Sequence, residues 1–175
     1  MEIIKTLFDG LLVIKPTVFA DRRGKCFEAY QREYYRQIGI TCDFIRDYYS
    51  YSIQNVLRGL HGQRGDHCML VQVLHGKAMD VVVDIRPNSK TFKQHCFNEL
   101  SEGNQHQVFI PNGFIHGFYA VSERVVFHYK CSSYYDPSLE FGYRYDDPSF
   151  AISWPHRDFI ISERDQKHPY FSETA

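Results

Sequence analysis

The sequence predicts an all-β fold: one domain over residues 1–175, built as a sandwich or barrel with a few short helices. Three observations predict it. Apolar and polar residues alternate with a period of two in several short runs. Turn clusters separate those runs at roughly even spacing, and no strand–helix–strand rhythm, linker, repeat or low-complexity segment interrupts them. The chain of 175 residues is also long enough to bury a core without staples, and 43% of it is hydrophobic, which argues against disorder.

Helix signals are sparse. "FEAYQREYYRQIG" (27–39) is the best candidate, with Tyr30, Tyr34 and Ile38 on one side and Gly39 as the stop. The strand candidates follow it: "CMLVQVLHG" (68–76), "KAMDVVVDIRP" (77–87), "HQVFIPNG" (106–113) and "RVVFHYKCSSYY" (124–135). "GQRGD", "RPNSK", "SEGNQ", "PNG" and "DPS" mark the turns between them. The 14 Phe and 13 Tyr suit pleated, half-buried surfaces, and a few could instead stack on a planar ligand.

Charge excludes some functions. With 20 basic and 21 acidic side chains the formal charge is −1, so no net field draws the chain to nucleic acid or to a membrane. Anion recognition must come from a few placed arginines. Cys26, Cys42, Cys68, Cys96 and Cys131 are scattered and odd in number, which points to reduced thiols in a cytoplasmic protein. The N-terminal apolar run is broken by charge and too short for export or membrane spanning.

Two histidines sit at similar turns. "VLRGLHGQ" (56–63) carries Arg58 and His61, and "PNGFIHGF" (111–118) carries His116. The second stretch resembles the P-x-G-x-x-H motif of the cupin superfamily, which implies a jelly-roll barrel with His116 pointing inward. Metal-binding cupins supply H-x-H and a later glutamate from their first motif. Here that motif reads His61-Gly62-Gln63, and no glutamate lies between His61 and Glu99, with only His67 as a stand-in. The metal set is therefore short of ligands, and no metal or other cofactor is expected.

Without a metal, the histidines are candidates for proton transfer or for satisfied polar corners of the barrel. A histidine base needs a carboxylate to orient it, and Asp165 in "SERD" is the candidate beyond the last barrel segment. Arg23 in "DRRG" and Arg58 beside Gly59 are placed to approach an anion such as a pyrophosphate. Arg58, three residues before His61, is expected to line the same cavity.

From about Leu7 to Asp165 the chain resembles the dTDP-4-dehydrorhamnose 3,5-epimerase family. The resemblance rests on ordered blocks: "DRRGKCFE" (21–28), "SYSIQNVLRGLHGQ" (50–63), "LVQVLHGKAMDVVVDIRPNSKTF" (70–92), "IPNGFIHGF" (110–118), "YKCSSYYDPSLE" (129–140), "DDP" (146–148), "WP" (154–155) and "SERD" (162–165). It implies a cofactor-independent epimerase acting beside the ketone of a nucleotide-diphosphate-linked 4-keto-6-deoxysugar. His61 would be the base, Asp165 its partner, and Tyr129 the acid on the opposite face. His116 and Gln63 would line the sugar site, Arg23 and Arg58 would contact pyrophosphate, and Glu28, Phe27 and Tyr135 would surround the nucleobase. The family also implies a homodimer in which the N-terminal segment of one subunit completes the site of the other.

Departures from the pattern fall in the same pocket. The family usually places a lysine before the "LV" of the strand after the histidine motif, and this chain has Met69. Losing such a donor to the enolate oxygen would cost roughly 3 kcal/mol of transition-state stabilisation. Where the family reads Q-x-N-x-S-x-S, this chain has Arg46-Asp47-Tyr48-Tyr49-Ser50-Tyr51-Ser52. Arg46 is expected to supply the charge missing at Met69, and Tyr48 to reshape the sugar pocket. Rival readings are a 3,4-ketoisomerase of the same fold, a non-catalytic sugar-nucleotide-binding cupin, and a metal-dependent dioxygenase. Keeping both His61 and Tyr129 favours epimerisation, at carbon 3, carbon 5 or both.

Overall fold

A computed structural model describes residues 1–171, so the last four residues of the expected 1–175 domain lie outside the described part. The first half of the chain forms β1 (Glu2–Lys5), β2 (Leu12–Lys15), β3 (Val18–Asp21), β4 (Gly24–Phe27), α1 (Arg32–Gln37), β5 (Arg46–Ile53), β6 (Val56–Gln63) and β7 (Met69–His75). The second half forms β8 (Lys77–Asp84), β9 (His95–Ser101), β10 (Gln107–Ile110), β11 (Phe114–Ala120), β12 (Arg124–Cys131), β13 (Glu140–Gly142), β14 (Ile160–Ile161) and α2 (Glu163–Gln166).

Two sheets face each other, in the jelly-roll arrangement the sequence predicts. One runs β1-β2-β10-β7-β12-β5, and the other β13-β6-β11-β8-β9 with β14 added to β6. Between them lie Val71, Val73, Val82, Phe114, Phe118, Val125 and Phe127, all buried. Phe118 and Phe127 come from opposite sheets and stack at 4.3 Å with their planes 12° apart, tying the layers together. The outer faces are covered as well. Tyr35 and Ile40 pack with Leu70 and Phe109 on one sheet, while Phe150 packs with Leu60, Val81, Val83 and Ile115 on the other. Double burial explains why Phe114–Ala120 is buried at every position and why "VVV" breaks the alternation in β8.

The helix expected over 27–39 is shorter. Phe27 closes β4 by pairing with Val18, and the Gln31 side chain caps α1 by accepting from Tyr34 N, so only Arg32–Gln37 is helical. Gly39, with φ of +97°, ends it as expected. No helix among the described residues is long and apolar enough to cross a membrane.

One irregularity in β6 matters for the site. His61 is opposite His116, yet Phe118, two residues on, is opposite Arg58, three residues back. The extra residue is a β-bulge at Gly59–Leu60. In a regular strand, residues three apart point to opposite faces. The bulge turns Arg58 and His61 to the same cavity while Leu60 goes into the outer core. Gly59 permits it, with φ of +131°, and a Cβ there would lie 2.6 Å from Gly117 Cα.

Candidate active site

The open end of the barrel holds a cavity of about 740 Å³, a size suited to a nucleotide-sugar ligand. Both sheets line it. From β5, Arg46, Tyr48 and Ser50 face in at every second position, while Tyr49, Tyr51 and Ile53 stay on the exposed outer side. Tyr129 lies between Tyr48 and Val71 in the strand register, and Cys131 lies between Arg46 and Met69. Arg46 and Met69 are thus two strands, about 10 Å, apart on one face of the sheet. The facing sheet supplies Arg58, His61, Gln63 and His116.

His61 Nε2 is 2.8 Å from Asp165 Oδ1, across 104 residues of sequence. Short-range geometry builds this contact. β14 pairs parallel to β6, with Ile160 opposite Val56, and leads directly into α2. Ser162 caps that helix by accepting from the backbone N–H of Asp165, and Gly59 N–H donates to Asp165 Oδ2 at 3.1 Å. Burial works to raise the Asp165 carboxyl, but the His61 hydrogen bond and charge, with the Gly59 N–H, outweigh it and hold it below the usual value. An ionised Asp165 accepts only, so His61 Nε2 is the donor in this pair and Nδ1 is the ring nitrogen left outside it.

His116 has a partner of its own: its Nδ1 lies 2.9 Å from Oδ1 of Asp80, which is wholly buried. Burial raises Asp80 against the opposing effect of His116, and Asp80 Oδ2 has no hydrogen-bond partner among the described residues. His67 lines the same cavity and its Nδ1 is 2.7 Å from Ser133 Oγ. Burial, then Arg46 and His116, push His67 down to about 4, so it is neutral at pH 7.

Tyr129 is buried under a stack of rings. Tyr48 lies parallel to it at 4.3 Å, the Arg46 guanidinium sits 5.2 Å from the Tyr48 ring centre, and Tyr135 is 5.7 Å from the same guanidinium. Burial, reinforced by Tyr48, pushes the Tyr129 phenol well above its ordinary value. It therefore holds its proton at neutral pH and can donate it. Its oxygen is 3.3 Å from Ser50 Oγ. Arg46 Nε is buried without a hydrogen-bond partner among the described residues, which leaves a cationic donor in the cavity wall. Arg58 Nε donates to Ser52 Oγ at 3.1 Å, which fixes the guanidinium at the cavity mouth.

The cavity gathers His61, Asp165, Tyr129, Arg46, Tyr48, Arg58, Gln63, Met69, His116 and Tyr135. Arg23, Phe27 and Glu28 do not line it. They belong to or adjoin the β3–β4 hairpin, where Arg23 is largely exposed and pairs with Asp21. Ser50, Glu140 and Arg164 line the cavity as well, beyond the residues the sequence marks. Ser50 was legible from its two-residue step after Tyr48, and Arg164 from its place beside Asp165. Glu140 had no local signal, because only the fold brings it to the Arg164 guanidinium and the Tyr135 hydroxyl.

His61, Asp165 and His168 have donor atoms within 4.8 Å of one another, the one such group among the described residues with the spacing to hold a metal ion. Within it, Asp165 accepts hydrogen bonds on both oxygens, from His61 and from Gly59 N–H, while His168 Nε2 stays at 3.6 Å from Asp165 Oδ1.

The sequence profile of the dTDP-4-dehydrorhamnose 3,5-epimerase family matches residues 5–173. The chain belongs to that family. Membership makes it an epimerase, an isomerase, on a cupin-type barrel. The dTDP-4-dehydrorhamnose 3,5-epimerase of Escherichia coli is 40% identical over 171 residues, covering 95% of this chain and 92% of that protein. The Legionella pneumophila dTDP-6-deoxy-D-glucose-3,5-epimerase, solved with dTDP-4-keto-L-rhamnose, is 42% identical with a TM-score of 0.93, over 97% of this chain and 92% of the other. A 3′-monoepimerase from Streptomyces bikiniensis, solved with dTDP-quinovose, has a TM-score of 0.90 at 26% identity, over 95% and 86% of the two chains.

Proposed function

We propose that this epimerase inverts carbon 3, carbon 5 or both of a nucleotide-diphosphate-linked 4-keto-6-deoxysugar. The observation that carries the reading is the placement of His61 and Tyr129 on opposing sheets of one cavity. A base that holds a lone pair and an acid that holds its proton, on opposite walls, are what inversion requires. His61 removes the proton beside the ketone, Asp165 stabilises the imidazolium that forms, and Tyr129 returns a proton to the other face. No metal or other cofactor takes part in these steps. Arg58 binds the pyrophosphate, and Gln63 and His116 bound the sugar.

The enolate oxygen needs a positive donor, and Met69 supplies none. Arg46 takes that role from two strands away on the same face of the sheet, with Tyr48 and Tyr135 bracketing its guanidinium. Arg46→Gln should lower kcat by about 10²–10³-fold and change KM far less; a variant with unchanged kcat rejects the assignment.

The protein works as a cytoplasmic homodimer, in which the β3–β4 hairpin carries Arg23, Phe27 and Glu28 to the partner's cavity. The exposed Val18 and Phe19 of that hairpin support this, since apolar side chains there gain from being covered. Incubation with dTDP-, CDP- and GDP-linked 4-keto-6-deoxyglucose in deuterium oxide, followed by NMR, tests the reaction and identifies the nucleotide. Deuterium should enter at carbon 3 or carbon 5 with inverted configuration. Migration of the carbonyl to carbon 3 would mean a ketoisomerase, and binding without exchange a non-catalytic protein.

A further inference from the structure

His168 stands outside every role assigned so far, yet it closes the back of the His61–Asp165 pair. Its Nε2 is 3.6 Å from Asp165 Oδ1, the same oxygen that His61 approaches to 2.8 Å. Its ring meets the His61 ring edge-on, with centres 5.6 Å apart and planes at 73°. The nitrogen is buried and has no hydrogen-bond partner among the described residues. A buried imidazole nitrogen left unpaired beside a carboxylate is costly unless it is used.

The fold makes room for this ring. Gly142 is opposite His61 in the strand register, and a Cβ there would lie 2.5 Å from His168 Nε2 and 2.6 Å from Leu60 O. Any side chain at 142 would push His168 off the dyad. The charged and titratable groups facing His168 are His61 on β6, Asp165 and Arg164 on α2, and Glu140 on β13. Tyr135 lines with it a second, smaller cavity behind the site. Burial, and then His61, hold His168 below the ordinary imidazole value, although Asp165 and Glu140 oppose this. It is thus neutral at pH 7 and does not compete with His61 for charge.

We propose that His168 is a positioning residue that acts through Asp165, directing its Nε2–H toward Oδ1 and bracing the His61 ring edge-on. An ionised oxygen can accept from two donors, and His61 uses only one of its lone pairs. At 3.6 Å the second interaction is longer than a hydrogen bond, so in the resting chain it is a dipole directed at the carboxylate. When His61 takes up the substrate proton, the carboxylate is already oriented to meet the new charge, and that orientation need not be found during the reaction. This rests on the reading of His61 as the base.

The test uses His168→Phe, which keeps a ring but removes the nitrogens, and His168→Gln, which restores a donor. His168→Phe should lower kcat about tenfold with KM within about twofold, and should displace the acid limb of the kcat profile. His168→Gln should recover most of the loss. In the resting enzyme, without substrate, the downfield proton resonance of the His61–Asp165 bond should move in His168→Phe and return toward its original position in His168→Gln. His61→Asn identifies that resonance by abolishing it. An unchanged kcat profile and resonance in His168→Phe overturn the proposal. So does a loss that His168→Gln fails to repair while both variants melt lower, which would make His168 a packing residue only. If His61→Asn still turns over, the assignment of the base fails, and the resonance still decides whether His168 orients the pair.

Discussion

His61 and His116 face each other across neighbouring strands, and each has an aspartate at hydrogen-bond distance, 2.8 Å in one pair and 2.9 Å in the other. In residue types the pairs are the same. Their surroundings are not. Asp165 has a backbone N–H on its second oxygen and a capped helix turn beneath it, and the His61 side chain keeps 30% of its surface open to the cavity. Asp80 is 0% exposed, its second oxygen is unpartnered, and His116 is 7% exposed. The shifts follow in opposite directions, with Asp165 lowered by its hydrogen bonds and charges and Asp80 raised by burial. A carboxylate that is solvated by the protein supports a base. One that is merely buried keeps a histidine in place.

The sharpest way to break this comparison is to remove each imidazole in turn. His61→Asn should reduce turnover by about 10³-fold, the usual worth of a placed general base, while His116→Asn should cost about tenfold or less. Deuterium exchange at the carbon beside the ketone reads both variants. Equal losses would show that the two pairs share the proton chemistry.

A smaller effect separates the two aspartates through stability. Asp165 has a lowered folded-state value, so its contribution is present above the unfolded value of about 3.9 and is lost as pH falls through the folded one. Asp80 has a raised value, so its contribution is greatest below about pH 3.9 and is lost as pH rises through the folded one. Asp165→Asn should therefore destabilise at pH 7 by about 1–3 kcal/mol, with the deficit shrinking in acid. Asp80→Asn should improve relative to the parent chain as pH rises from 4 to 8. Thermal melts across that range check both signs, and parallel curves would remove the distinction.

Much of this site was legible in the chain. The period-two runs 68–76, 77–87, 106–113 and 124–135 contain strands β7, β8, β10 and β12, because alternation along a strand is a local property. The two histidines, expected at turns, lie instead inside β6 and β11 and are paired across them, because a glycine beside a histidine does not by itself end a strand. The helix over 27–39 was overdrawn, since pairing of Phe27 with Val18 belongs to a hairpin that local periodicity does not report. Asp80 stands in the sequence as one acid in an apolar strand, and its complete burial is not written in residue type. Arg58 and His61 were expected to share a cavity, and they do, but only through a bulge that strand parity alone would have forbidden.

The sequence by itself determined which groups are available: an imidazole, a phenol, an arginine where a glutamine is usual, a methionine where a lysine is usual, and strands with one face able to carry them. Those follow from residue chemistry and short-range periodicity. Only the tertiary structure decided which groups meet. Asp165 reaches His61 because β14 pairs in parallel with β6, and Arg46 shares a face with Met69 because β12 lies between their strands. Such pairings join residues more than a hundred positions apart, as Ile160 and Val56 are. They are fixed by the packing of two whole sheets, so no stretch of sequence carries them alone.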